Sequence, residues 1–193
     1  MAQIKKNIVT QGMSGMLGDT LVFRVKDGKT IVATAPQPTE KEPTESQKRQ
    51  RTRFQEAVLY AKNALLDETQ KGLYSEKAES LEGQSAYNVA VADFMHAPDI
   101  QEIDLDGYTG QVNDTILVKV TDDFKVQKVT IGIYNQDSSL VEEGEAELQA
   151  NGVSWLYTAT AENADINGDK IVIRAYDIPG NVTEEEKSPG AVN

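Results

Sequence analysis

Apolar residues alternate along Leu21, Phe23 and Val25, and again along Ile31, Ala33 and Ala35, with Asp27-Gly28 between the two runs. Period-two alternation marks a strand, and Asp-Gly suits a tight turn whose two central residues need positive φ. The pattern therefore predicts a β-hairpin over 20–35 whose apolar face carries those six residues. Arms of this length would reach roughly 23 Å at ~3.3 Å per residue. Gly12, Gly15 and Gly18 stand three apart ahead of the hairpin in a stretch that reads as irregular. Pro36, Pro38 and Pro43 follow it and mark an extended linker. The period then changes to that of a helix. Thr44 and Gln47 make a capping box behind Pro43, and Phe54, Ala57, Val58, Ala61, Ala64 and Leu65 fall on one helical face. Weaker periodicity predicts a second helix over 71–81. A third is expected over 85–95, burying Tyr87, Ala90, Val91 and Phe94, with Pro98 closing the region.

Beyond Ile100 the period returns to two. Ile116, Val118 and Val120 alternate with Leu117 and Lys119, and Val129, Ile131 and Ile133 alternate with Thr130, Gly132 and Tyr134. Trp155, Tyr157 and Ala159 form a third set, and Ile171, Ile173 and Ala175 a fourth. Asn151-Gly152 and Asn167-Gly168 are turn dipeptides between them. Short strands with frequent turns predict an antiparallel sandwich. The fold class expected is α+β. Residues 1–43 form an extended arm with a β-hairpin and proline-rich linker, 44–98 a small helical domain, and 99–193 the sandwich.

Ala175-Tyr176-Asp177-Ile178-Pro179-Gly180-Asn181 has the form A-x-D-x-x-G-N, which resembles the last strand of bacterial immunoglobulin-like modules. Asp122-Asp123-Phe124-Lys125-Val126 followed by Val129-Thr130-Ile131 is similar to their second and third strands. The resemblance covers about half the chain and implies an immunoglobulin-like sandwich of the kind that serves as spacer, adhesin or assembly decoration. It carries no chemistry of its own. The first half resembles a Bacteroidota family that opens with spaced glycines, a short hairpin and proline, then T-x-x-Q-x-x-x-R entering a helix. Here those are Gly12, Gly15, Gly18, the 20–35 hairpin, Pro36, and Thr44, Gln47 and Arg51. No catalytic residue comes with that likeness.

Composition narrows the picture. Of 193 residues, 39% are hydrophobic, enough for a buried core, but only 6% are aromatic, so that core leans on Val, Ile, Leu and Ala. No cysteine is present, which excludes disulfides and cysteine-built zinc sites. Lys5 and Lys6 near the start have no unbroken apolar block behind them, whereas a secretory signal needs roughly 7–15 such residues. The expectation is synthesis in the cytoplasm without a signal peptide, with release or display as part of an assembly, and no membrane insertion. The net charge of −12 is unevenly spread. Residues 1–62 hold 11 Lys and Arg against 6 Asp and Glu, and residues 63–193 hold 8 against 25. A solvated acidic domain beside a basic helix explains this, and so does attraction between copies arranged head to tail. The overall acidity argues against broad binding to nucleic acid.

Catalytic signals are weak. The one histidine, His96, precedes Ala97-Pro98 near a helix C-terminus, where its cation would complement the dipole. No G-x-S-x-G elbow is present, and the spaced glycines match neither a P-loop nor a dinucleotide fingerprint. Turn glycines explain them better. Glu142, Glu143, Glu145 and Glu147 pair carboxylates, and the last three would point to the solvated face of one strand. Asp165, Asn167 and Asp169 have D-x-N-x-D spacing, and Asp104 and Asp106 form D-x-D, which suits Ca2+. An EF-hand would need Gly after the third ligand and an acid at its twelfth position, where Lys170 and Tyr176 stand. A hairpin turn at Asn167-Gly168 accounts for the triplet better, and no cofactor is expected.

Lys48, Arg49, Arg51 and Arg53 cluster at the start of the first helix without aromatic partners of the nucleic-acid-binding kind. The sequence supports a non-enzymatic structural subunit that self-associates through its N-terminal arm into a filament, tube or phage-like particle. An isolated two-stranded ribbon is marginal in water and needs a cover. Leu21, Phe23, Val25 and Ile31 are its expected apolar contacts, and Arg49, Arg51 and Arg53 its electrostatic ones. The alternative is a surface adhesion or ligand-binding module recognising glycan or a host protein.

Overall fold

A computed structural model describes residues 2–4, 10, 12–26, 28–36 and 42–190. The turn residue Asp27, the linker residue Pro38 and the lysines Lys5 and Lys6 lie outside the described residues. The chain divides into two compact units, Met1–Thr44 and Glu45–Asn193. The described residues form an α+β structure with three helices and antiparallel sheets.

In the first unit β1 (Ala2–Ile4), β2 (Gly15–Leu17), β3 (Leu21–Lys26) and β4 (Lys29–Thr34) form one antiparallel sheet in the order β1-β4-β3-β2. The expected hairpin is β3–β4, but it is not a free ribbon, because another strand pairs with each of its outer sides. The stretch read as irregular supplies one of them, β2. Gly12, Gly15 and Gly18 all take positive φ (80°, 109° and 56°), which lets the chain turn into and out of so short a strand.

The register corrects the expected apolar face. Lys26 pairs with Lys29 across the two-residue loop, so Leu21, Phe23 and Val25 stand opposite Thr34, Val32 and Thr30. Cross-strand partners share a face, which puts Ile31 and Ala33 on the other side with Arg24 and Val22. Leu21, Phe23 and Val25 therefore do not form one stripe with Ile31.

The second unit begins with α1 (Glu45–Ala64), α2 (Glu68–Glu79) and α3 (Ala86–Met95). Asp67 caps α2, accepting from the backbone N–H groups of Thr69 and Gln70, and Ser85 caps α3 through Asn88 N–H. The α2 cap starts that helix three residues ahead of the expected Lys71. Ala57, Ala61 and Ala64 are the buried stripe of α1, whereas Phe54, expected on that face, is 52% exposed. In α3 the buried residues are Val89, Ala90 and Asp93; Tyr87, Val91 and Phe94 are half-buried. The helices enclose a small cluster around Tyr74, onto whose ring Phe124 stacks from outside the helices, with centroids 4.5 Å apart.

Eight strands follow: β5 (Asp99–Asp104), β6 (Thr115–Thr121), β7 (Val126–Tyr134), β8 (Leu140–Glu145), β9 (Glu147–Leu148), β10 (Ser154–Thr158), β11 (Lys170–Asp177) and β12 (Val182–Lys187). They make two four-stranded antiparallel sheets, ordered β5-β6-β10-β9 and β12-β11-β7-β8. Alternate residues of both sheets meet in one core: Ile116, Val118 and Val120 from the first, Val129, Ile131, Ile133, Ile171 and Ile173 from the second. All are essentially inaccessible to solvent. The chain changes sheets at buried Ala146, whose N–H donates to the Val129 carbonyl. Glu143 and Glu145 consequently lie opposite Gly132 and Thr130 in one sheet, while Glu147 pairs with Leu156 in the other. The three glutamates do not share one strand face as the alternation suggested.

Candidate functional site

Two surfaces and one buried cluster hold the residues that could act. The first surface is the β2 edge of the N-terminal sheet. Phe23 lies at 9% exposure and Thr30 is buried, its hydroxyl accepting from Gly12 N–H at 3.0 Å. Leu21 and Ile31 are half-buried on opposite faces, and Val25 is exposed. β3 and β4 have partners on both sides, so neither can accept an added strand. Among the described residues nothing pairs with the outer side of β2. That edge is apolar: Met16 and Leu17 are 64% and 63% exposed, and Met13 beside them is also exposed. Residues 13–17 contain no Lys, Pro or acidic residue that would discourage strand pairing. Sequence reading passed over them because three residues are too few to display a period.

The second surface is the first half of α1. Every residue of 45–56 is exposed, Phe54 included. Lys48 donates to Glu45 Oε1 at 2.9 Å, but Arg49, Arg51 and Arg53 make no ion pair or hydrogen bond among the described residues. Lys48, Arg49 and Arg53 line an open groove shared with Phe94 and Asn181, and Arg51 lies outside it. Lys48 is the one basic residue of the first turn, where it pairs with Glu45, and the helix dipole fades before Arg49, Arg51 and Arg53.

The buried cluster lies where α3 gives way to β5. Tyr60 and Tyr74 hydroxyls are 2.7 Å apart, and Tyr74 donates to Asp93 Oδ2 at 2.5 Å. Asp93 is 1% exposed, and among the described residues its Oδ1 has no partner. Burial, reinforced by Asp122, Asp177 and Asp123, pushes its carboxyl up to about 7, against the lowering effect of the Tyr74 hydroxyl. Asp177 is fully buried and raised by the same desolvation, although it accepts from Gly180 and Asn181 N–H. Asn181 Nδ2 lies 2.6 Å from Asp177 Oδ2 and within 3.1–3.4 Å of the carbonyl oxygens of Asp93, Phe94 and His96. The A-x-D-x-x-G-N segment thus fastens the end of α3 to the β11–β12 turn. His96 ends α3, exposed, with Nδ1 2.6 Å from Asp123 Oδ2.

The calcium candidates do not converge. Asp165 accepts from Asn167 N–H and Nδ2 in an exposed turn, while Asp169 is buried and accepts from Asn163 Nδ2 at 2.6 Å. Asp104 accepts from Asp106 N–H, another local turn. Glu142 is buried, and its Oε2 takes hydrogen bonds from Thr160 N–H, Thr160 Oγ1 and Ala161 N–H. Among the described residues no three His, Asp or Glu side chains are grouped to hold a metal ion. No described helix is long and apolar enough to cross a membrane. Comparison with protein-family models, curated proteins and solved structures finds no significant match.

Proposed function

We propose that this chain is a non-enzymatic structural subunit that self-associates into a repeating assembly through the β2 edge of its N-terminal sheet. The observation that carries the reading is an apolar edge strand, unpaired on its outer side among the described residues, with Met16 and Leu17 in solvent. Edge strands of this kind template pairing with another chain unless charge, proline or a bulge blunts them. Main-chain hydrogen bonds then supply affinity while alternate side chains supply fit. The contact assigned to Leu21, Phe23, Val25 and Ile31 by sequence moves outward to Met13, Met16 and Leu17.

The C-terminal half fits an immunoglobulin-like module in this role. Its orders β5-β6-β10-β9 and β12-β11-β7-β8 correspond to the ABED sheet and to a GFC sheet extended by one strand. A rigid spacer of that type suits a subunit repeated along an assembly.

Met16→Lys/Leu17→Lys tests the reading, because two cations on the edge oppose strand addition. Sedimentation of the full chain should show species growing with concentration for the parent and a shift toward monomer for the variant. A parent that stays monomeric at every concentration and salt would overturn the proposal.

A further inference from the structure

The α1 surface poses a question that strand pairing leaves open. The covered stripe of α1, Ala57, Ala61 and Ala64, lies in its second half, and the first half does not continue it. Each residue of 45–56 is exposed, Phe54 at 52%, and Arg49, Arg51 and Arg53 have no ion pair or hydrogen bond among the described residues. A cover for this surface should be anionic. The chain's own first unit does not qualify by charge, since residues 1–44 hold 6 Lys and Arg against 4 Asp and Glu.

The opposite charge is gathered at one end of the two-sheet body. β5, β7 and β10 end there and β6, β8 and β11 begin there, so loops 105–114, 135–139 and 159–169 form a common pole. The β11–β12 turn, which carries Asn181 of the α1 groove, lies at the other end. At their surface the three loops hold Asp106, Asp114, Asp137, Glu162 and Asp165, with Asp169 buried beneath them, and they contain no Lys or Arg. Backbone and side-chain donors hold three of these carboxyls below their ordinary range: Gln111 and Thr109 for Asp114, Ser139 for Asp137, Asn167 for Asp165. The pole is thus anionic throughout the neutral range. The outer face of the β12-β11-β7-β8 sheet is a poorer match, because its glutamates pair internally with Arg174, Lys170 and Lys128.

We infer that the exposed basic half of α1 seats against the acidic loop pole of a second copy of this chain. The contact is head to tail: two different patches meet, so it extends into an open array or closes into a ring. It rests on the self-association reading and adds a second, salt-sensitive contact to the strand edge. Phe54 and Phe94 provide apolar area beside the arginines, while Arg49 and Arg53, one turn apart, present their guanidinium groups together to carboxylates.

Sedimentation of full-length variants at about 20 mM and 500 mM salt tests it, because the Debye length shrinks steeply over that range. The helix variant is Arg49→Glu/Arg53→Glu. The pole variant is Asp106→Lys/Glu162→Lys, chosen because neither carboxylate makes a hydrogen bond among the described residues. Circular dichroism confirms that each folds. Each alone should lose the low-salt association by about tenfold or more, since like charges then face each other. An equimolar mixture should recover it, because the acidic helix of one meets the basic pole of the other. Met16→Lys/Leu17→Lys should keep this salt-sensitive component and lose the salt-insensitive one. The inference is overturned if both charge variants associate like the parent, or if the mixture does not recover. It is also overturned if a double-stranded DNA probe binds α1 while no low-salt self-association occurs. Loss confined to the Met16/Leu17 variant would uphold the strand edge and reject the helix contact; the reverse would reject the edge and keep the helix.

Discussion

Asp93 shows how one side chain links sequence to a condition of folding. Its neighbours on α3 are apolar, so periodicity alone gives no reason to bury a carboxyl there, and sequence reading placed Phe94 in the core instead. The reason lies in another helix: the Tyr74 hydroxyl donates to it, and Tyr60 extends the chain of bonds. An acid raised to about 7 binds its proton more tightly in the folded state than in the unfolded one. Its contribution is fully present below about pH 4 and is lost as pH rises toward 7. A carboxyl moved from its ordinary value near 4 to about 7 carries about 4 kcal/mol over that window. Asp93→Asn keeps an acceptor for Tyr74 and removes the titration. Thermal unfolding at pH 4.5 and 7.5 should show the parent losing stability with rising pH and the variant much flatter. Equal slopes for the two proteins would place the pH dependence elsewhere.

At the scale of elements, strand and helix existence was legible while their partners were not. Alternation located β6, β7, β10 and β11, because these strands bury one face and local spacing encodes that. Alternation did not show that β8 leaves its sheet at Ala146, since the pattern runs through the crossing unchanged. The hairpin was visible in its turn signal, but the face shared by its arms follows from register, and a two-residue loop put Ile31 opposite Arg24. For α1 the period correctly found Ala57, Ala61 and Ala64. It could not show that every residue of the first three turns is exposed, because periodicity reports which residues share a face, not what covers them. The A-x-D-x-x-G-N segment was legible as a strand end, and the structure adds its work as a fastener. Asn181→Ala leaves the last carbonyls of α3 short of a donor and should cost about 1–2 kcal/mol in denaturant unfolding. A cost near zero would mean that water replaces the amide and that the fastening is incidental.

The whole molecule combines an apolar strand edge with separated charge. The sequence disclosed the charge asymmetry but not its geometry: only the topology brings loops 105–114, 135–139 and 159–169 to one pole. The reading of a self-associating subunit depends most on β2, and amide hydrogen exchange of the full chain addresses that strand directly. If β2 pairs with a neighbouring copy, the backbone amides of Gly15, Met16 and Leu17 should become more protected as protein concentration rises at constant salt, while those of core strand β11 stay as they were. Protection of β2 that does not change from dilute to concentrated protein would contradict the account.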